Sequence, residues 1–215
     1  MATPTNTGKI GFVFEDLMTK TLSAILTPMH ELGWKTRLLT EQDIRDVFNE
    51  QSLNGVDHML EIEDASGQFI IFLLQEKWKF LTNQREVSQF LDCSARILSR
   101  IPRGRRERVY RLWVTRSQPS QNGEKSLLEG GAYTIQCMTS QPLLAQITAQ
   151  YICELLGHRE FAVKMISEMP SLLSTETASE PEVLDESKTA LLPTLTYKTK
   201  VTVQKADLYL EGVSH

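Results

Sequence analysis

The sequence predicts an α/β fold, a central mixed β-sheet with helices on its faces. Three observations carry that reading. Phe69–Leu74 is an unbroken apolar run preceded by turn chemistry at Asp64–Gly67, the pattern of a hairpin whose second strand is buried on both sides. Phe12, Phe14, Leu17, Met18, Leu22, Ile25, Met29 and Leu32 recur at helical spacing, as do Leu144, Ile147, Tyr151 and Leu155 near the other end. At 215 residues and 41% hydrophobic, the chain is long enough for one well-buried domain and an appendage.

Taken in order, the first helix ends near Gly33 and carries Glu15 on its first turn, where a helix N-terminus favours an acid. Trp34–Leu39 reads as a short strand or a loop. Glu41–Asn49 is a short helix with Ile44, Val47 and Phe48 inward. The hairpin follows, from Asp57 to Lys77. Thr82–Ile101 is a helix whose inner side is Val87, Phe90, Leu91, Ala95, Ile97 and Leu98. Arg100–Arg111 forms a basic loop before a strand at Val109–Thr115. Ser117–Gly131 reads as a long polar loop, Ala132–Met138 as the last core strand, and Leu143–Leu156 as a covering helix closed by Gly157, with Phe161–Ile166 extending the helical region.

Composition then shifts to Ser, Thr, Pro and acid, so residues 1–168 are expected to form the domain and 169–190 an acidic linker. Residues 191–215 form a C-terminal β extension, in which Leu195, Tyr197, Val201 and Val203 alternate with polar positions. Too short to build a core, it is expected to dock on its own domain or on a partner subunit.

Several chemistries are excluded. No stretch of about 18 apolar residues is present and the first residues lack a hydrophobic leader, so a soluble, intracellular, cytoplasmic protein with no membrane partner is expected. Cys93, Cys137 and Cys153 are odd in number and widely spaced, which suggests buried free thiols rather than a disulfide framework or a zinc site. Neither phosphate-binding glycine motif occurs, so no nucleotide cofactor is expected. The net charge of −4 does not favour nucleic acid, but its distribution does: Lys77–Arg116 holds eleven Lys or Arg against three acids. Lys79, Arg100, Arg103, Arg105, Arg106 and Arg108 are the candidate phosphate contacts, since guanidinium forks match phosphate geometry.

The candidate site lies in the hairpin. Alternation puts Gln75 and Lys77 on one face of their strand and Glu76 on the other, and suitable register brings Asp57 beside the first two. An acid, an amide oxygen and a lysine suit a hard divalent cation such as Mg²⁺, or Mn²⁺, bound against a phosphodiester. His58 faces away from Asp57 and reads as a surface or packed histidine, because no second His or Cys stands at ligand spacing. For the same reason, acid/base chemistry by Asp57 and His58 on a small molecule lacks a partner. Glu61 shares the face of Asp57 but lies roughly 13 Å along the strand, and Trp78 reads as packing.

Asp57 followed by Gln75-x-Lys77 after an apolar strand resembles the PD-(D/E)XK nucleases, and the glutamine variant is similar to the Mrr-like branch of restriction endonucleases. Gly11-Phe12-Val13-Phe14-Glu15 matches that branch's Gly-x-x-Phe-Glu sequence on its first helix. The resemblance spans about residues 10–155, with motif-level matches at Glu15, Asp57, Gln75 and Lys77 alone. It implies a restriction endonuclease-like fold and a metal-dependent endonuclease that hydrolyses DNA phosphodiester bonds. Glu15, Asp57 and Gln75 would then be metal ligands, Lys77 would assist the attacking water, and Gln89 or Arg96 on the following helix would flank the substrate. A homodimer would allow both strands to be cut. Two features depart from the pattern: no proline precedes Asp57, and Gln75 removes one negative charge from the site. The alternative reading is a catalytically inactive nucleic-acid-binding or assembly module of the same fold.

Overall fold

The structure, a computed structural model, describes residues 7–78, 83–117, 119–162 and 202–204. Helix α1 (Thr7–Glu31) leads into strand β1 (Lys35–Thr40) and helix α2 (Glu41–Val47); β2 (His58–Glu63) and β3 (Phe69–Lys77) form the hairpin. Helix α3 (Gln84–Arg100), a 3₁₀ turn at Arg103–Arg105 and strand β4 (Arg108–Thr115) follow, then α4 (Gln121–Glu129), β5 (Ala132–Gln136), α5 (Gln141–Leu156) and the short β6 (Thr202–Gln204).

The strands lie side by side in the order β1-β2-β3-β4-β5-β6. The outer pairings are antiparallel, whereas β3 with β4 and β4 with β5 run parallel. The sheet is therefore mixed. The crossover helices α3 and α4 cover one face and α1 with α5 the other, which is why β3 is apolar at successive rather than alternate positions. Phe72, Leu74, Leu112 and Val114 pack with Phe14, Met18, Leu22 and Ile25 of α1 and Ile152 of α5. Their neighbours Ile71, Leu73 and Trp113 point the other way, into Val87, Phe90 and Ile97 of α3, Ile44 of α2 and Leu127 of α4.

Local chemistry sets the helix ends. Thr40 with Asp43, and Asn83 with Glu86, form reciprocal capping boxes that satisfy otherwise orphaned amides at the starts of α2 and α3. Gly157 at φ +79° closes α5 in the left-handed region.

The α/β fold and the hairpin agree with the sequence reading, and several details differ. Helix α1 begins at Thr7, so Glu15 lies beyond the second turn rather than on the first. Val47 is 44% exposed and Ala95 is also exposed, whereas Cys93 and Ser94 take the inward positions on α3. The expected loop at Ser117–Gly131 contains α4, because the Ser120 hydroxyl accepts the Gly123 amide and starts a helix that buries Leu127. Strand β5 stops at Gln136 and leaves Met138 exposed. Residues 159–162 are helical, while the rest of the expected extension to Ile166, the linker at 169–190 and Lys79 lie outside the described residues. Of the C-terminal extension, the described residues Thr202–Gln204 pair antiparallel with β5.

Candidate active site

Asp57 stands one residue before β2, and its amide donates to the Leu74 carbonyl at 2.8 Å. Leu74 is also the ladder partner of His58, so two consecutive residues address one residue of β3 and Asp57 is held beside the end of that strand. Gln75 Nε2 donates to Asp57 Oδ2, and the Glu76 backbone amide donates to the same oxygen at 2.6 Å. Lys77 follows Gln75 on the side of the sheet that carries Ile71 and Leu73. Three of the four expected residues are thus gathered at the carboxyl end of β3, the end of a parallel sheet where ligands generally bind.

Glu15 approaches from α1, which covers the other face. Its carboxyl is pushed above the ordinary range by burial, then by the charge of Glu76, against the pull of His58 and Lys77. Burial pushes the Asp57 carboxyl up to about 8, with the Glu76 charge adding to it and Lys77 and the Glu76 amide opposing. Both acids feel the charges of Glu76 and Lys77, and Asp57 also feels that of Glu15, so the two belong to one electrostatic cluster at the sheet end.

Two residues outside the expected set complete it. Glu76, 4% exposed, points to the α1 face, where its Oε1 lies 2.7 Å from His58 Nδ1. His58, 2% exposed, reaches Thr19 Oγ1 through Nε2, also at 2.7 Å. Burial alone lowers the His58 pKa, but the charge and hydrogen bond of Glu76 outweigh it and the net direction is upward. The expected packed histidine is therefore a buried, doubly bonded one. The signal available in the sequence was polarity on both faces at the end of an apolar strand, Gln75 and Lys77 on one and Glu76 on the other.

The donor set suits a hard cation in its chemistry. Glu15, Asp57 and Glu76 supply carboxylate oxygen, the first two are held above their ordinary pKa by burial and the Glu76 charge, and Glu76 Oε2 is buried with no hydrogen-bond partner. Two features weigh on the other side. Among the described residues no three His, Cys, Asp or Glu side chains gather as a metal-binding group, and Gln75 turns its nitrogen, not the expected ligating oxygen, toward Asp57.

The basic residues are elsewhere. Because β3 and β4 run parallel, with Ile70 beside Arg108 and Lys77 beside Thr115, the loop before β4 lies at the opposite end of the sheet, roughly 23 Å from Lys77 at ordinary strand rise. Several of its arginines brace the fold. Arg108 donates to the Leu155 carbonyl at 2.9 Å, Tyr110 Oη at 3.0 Å and Gln68 Oε1 at 3.2 Å. Arg100 pairs with Glu50 and donates to the Phe48 carbonyl, and Arg96 also pairs with Glu50. Arg105 sits 4.4 Å over the Phe69 ring and 3.9 Å from Glu61, which explains the role of that acid. Arg103 and Arg106 line an open depression of about 510 Å³ with Arg111, over Leu98 and Val109. Gln89 is exposed on α3, and its main chain packs beside Gly55. Trp78 packs on Phe14 at 5.2 Å, with the Arg116 guanidinium 5.1 Å from its ring. All three cysteines are buried and free.

No protein-family model, curated protein or solved structure matches the chain. Among the described residues no helix is long and apolar enough to cross a membrane.

Proposed function

We propose that the chain is a divalent-cation-dependent endonuclease acting on DNA phosphodiester bonds, with a fold similar to that of restriction endonucleases. The observation that carries this reading is the hydrogen bond from Gln75 to Asp57 at the end of the hairpin, with Lys77 two residues on. The order of elements, a helix with an acid, a hairpin, then α3 and β4, accords with the resemblance.

A bound Mg²⁺ would polarise the phosphoryl oxygen and acidify a water. Asp57 would present Oδ1 to that ion, since both hydrogen bonds from Gln75 and Glu76 fall on Oδ2. Glu15 would join directly or through water, and Gln75 would turn its amide to offer Oε1. Lys77 would hold the attacking water and offset negative charge at the phosphorus in the transition state. Of the basic loop, Arg103 and Arg106 are the arginines best placed for phosphate, because Arg100, Arg105 and Arg108 already hold protein groups. Two copies of the chain would cut both strands of a duplex.

One observation favours a second reading, an inactive nucleic-acid-binding module: Asp57 Oδ2 is already satisfied by the protein's own donors. Nicking of supercoiled plasmid separates the two. With Mg²⁺ or Mn²⁺ the wild type should nick it and with EDTA it should not, and Asp57→Asn or Lys77→Ala should lower the rate at least about 100-fold. Nicking that survives both substitutions removes this site, and none by the wild type in either metal favours the inactive module.

A further inference from the structure

His58 lies on the opposite side of its strand from Asp57, and of the three carboxylates above it touches Glu76. Its contacts run to the places where those groups are mounted. Thr19 Oγ1 has a single hydrogen and donates it to the Glu15 carbonyl at 2.9 Å, so toward the imidazole it accepts, and His58 Nε2 carries the hydrogen between them. Nδ1 faces Glu76 Oε1, and that pair shares a further proton. The main chain of Glu76 is meanwhile tied from the far face by Asp57 Oδ2. The dipeptide Asp57-His58 thus clasps Gln75-Glu76 on both faces of the sheet.

This bears on a difficulty in the site. Asp57, Gln75 and Lys77 are fixed to one another by the hairpin register, but Glu15 is on a helix packed against the other face, and no ladder bond sets its distance from Asp57. The imidazole supplies a hydrogen-bonded connection that does: it joins α1 one turn from Glu15 to β3 between Gln75 and Lys77. With His58 2% exposed, water is poorly placed to substitute for it.

We propose that His58 is a positioning residue that sets the Glu15 carboxyl against Asp57, by pinning Thr19 on one side and Glu76 on the other, so that both acids reach one divalent cation. The inference rests on the function proposed above, and its test reads metal affinity in the absence of DNA. Calorimetric titration of the full-length chain with Mn²⁺ should give an affinity about tenfold weaker in His58→Leu, in Glu15→Gln and in Thr19→Val. The double variant His58→Leu/Glu15→Gln should bind no more weakly than Glu15→Gln alone, because the ring acts through that carboxyl; general loosening would add to the loss instead. Thr19→Val keeps the volume and leaves the His58–Glu76 pair intact, so it serves if His58→Leu fails to fold. Wild-type affinity in Thr19→Val, or losses that add in the double variant, overturns the inference while leaving the nuclease reading in place. A wild-type chain that takes up no Mn²⁺ removes both.

Discussion

Gln75 donates its side-chain amide to Asp57, whose own amide is tied to the Leu74 carbonyl, so the two are set by the hairpin backbone rather than by a flexible loop. A one-residue slip would turn one of them to the other face. The turn that fixes the register, Asp64–Gly67, is held by the Gly67 amide on the Asp64 carbonyl at 2.9 Å and by Asp64 Oδ1 accepting from Ser66 and Gln68.

The buried carboxyl makes stability depend on pH. Asp57 in the folded chain titrates at about 8, above its ordinary value of 3.8, so its protonated form is the one the fold favours. That contribution is fully present below about pH 4 and disappears as pH rises through 8, on the order of a few kcal/mol in all. Thermal melts of the metal-free protein from pH 5 to 9 should therefore show a fall that Asp57→Asn largely removes. Added Mg²⁺ should protect most at the alkaline end, where no proton competes with it.

Gly55 is expected to be intolerant of any side chain. Its φ is +109°, and a Cβ there would meet the Gln89 carbonyl oxygen of α3 at 3.1 Å. Gly55→Ala should cost about 1–3 kcal/mol in denaturant unfolding. It should also depress nicking by the surviving folded protein, since Asp57 follows two residues later.

Phe90 on α3 meets Trp113 of β4 edge-on at 5.6 Å, and both are fully buried behind Gln75 in the α3-side core. Phe90→Ala should destabilise by about 3–5 kcal/mol. Equilibrium urea unfolding followed by tryptophan fluorescence measures it.

The arginines divide into two groups. Arg103→Gln with Arg106→Gln should weaken oligonucleotide binding in EDTA and reduce the steepness of its log–log salt dependence by roughly two. Arg100→Gln should instead lower the melting temperature with little effect on that slope, because it removes one of the two arginines on Glu50 and the donor to the Phe48 carbonyl.

The sheet was legible wherever periodicity speaks: β3 by its unbroken apolar run, α1 and α5 by their 3.6-residue spacing, and the shared face of Gln75 and Lys77 by alternation. Helix α4 was hidden because its cap, Ser120, sits in a polar stretch with the composition of a loop. The His58–Glu76 contact is diagonal across two strands and appears only once the register is known. The place of the basic loop depends on topology. A parallel crossover returns the chain to the end where β3 begins, so a loop that follows β3 in sequence lies far from where that strand finishes.

The most direct test of the proposed cation site is the anomalous density of crystals soaked in Mn²⁺. A bound ion should give a peak at about 2.0–2.5 Å from Asp57 Oδ1, with oxygen of Glu15 or Gln75 also bound to it directly or through water. A soaked crystal with no peak at Asp57, or with manganese held only elsewhere on the surface, would contradict it.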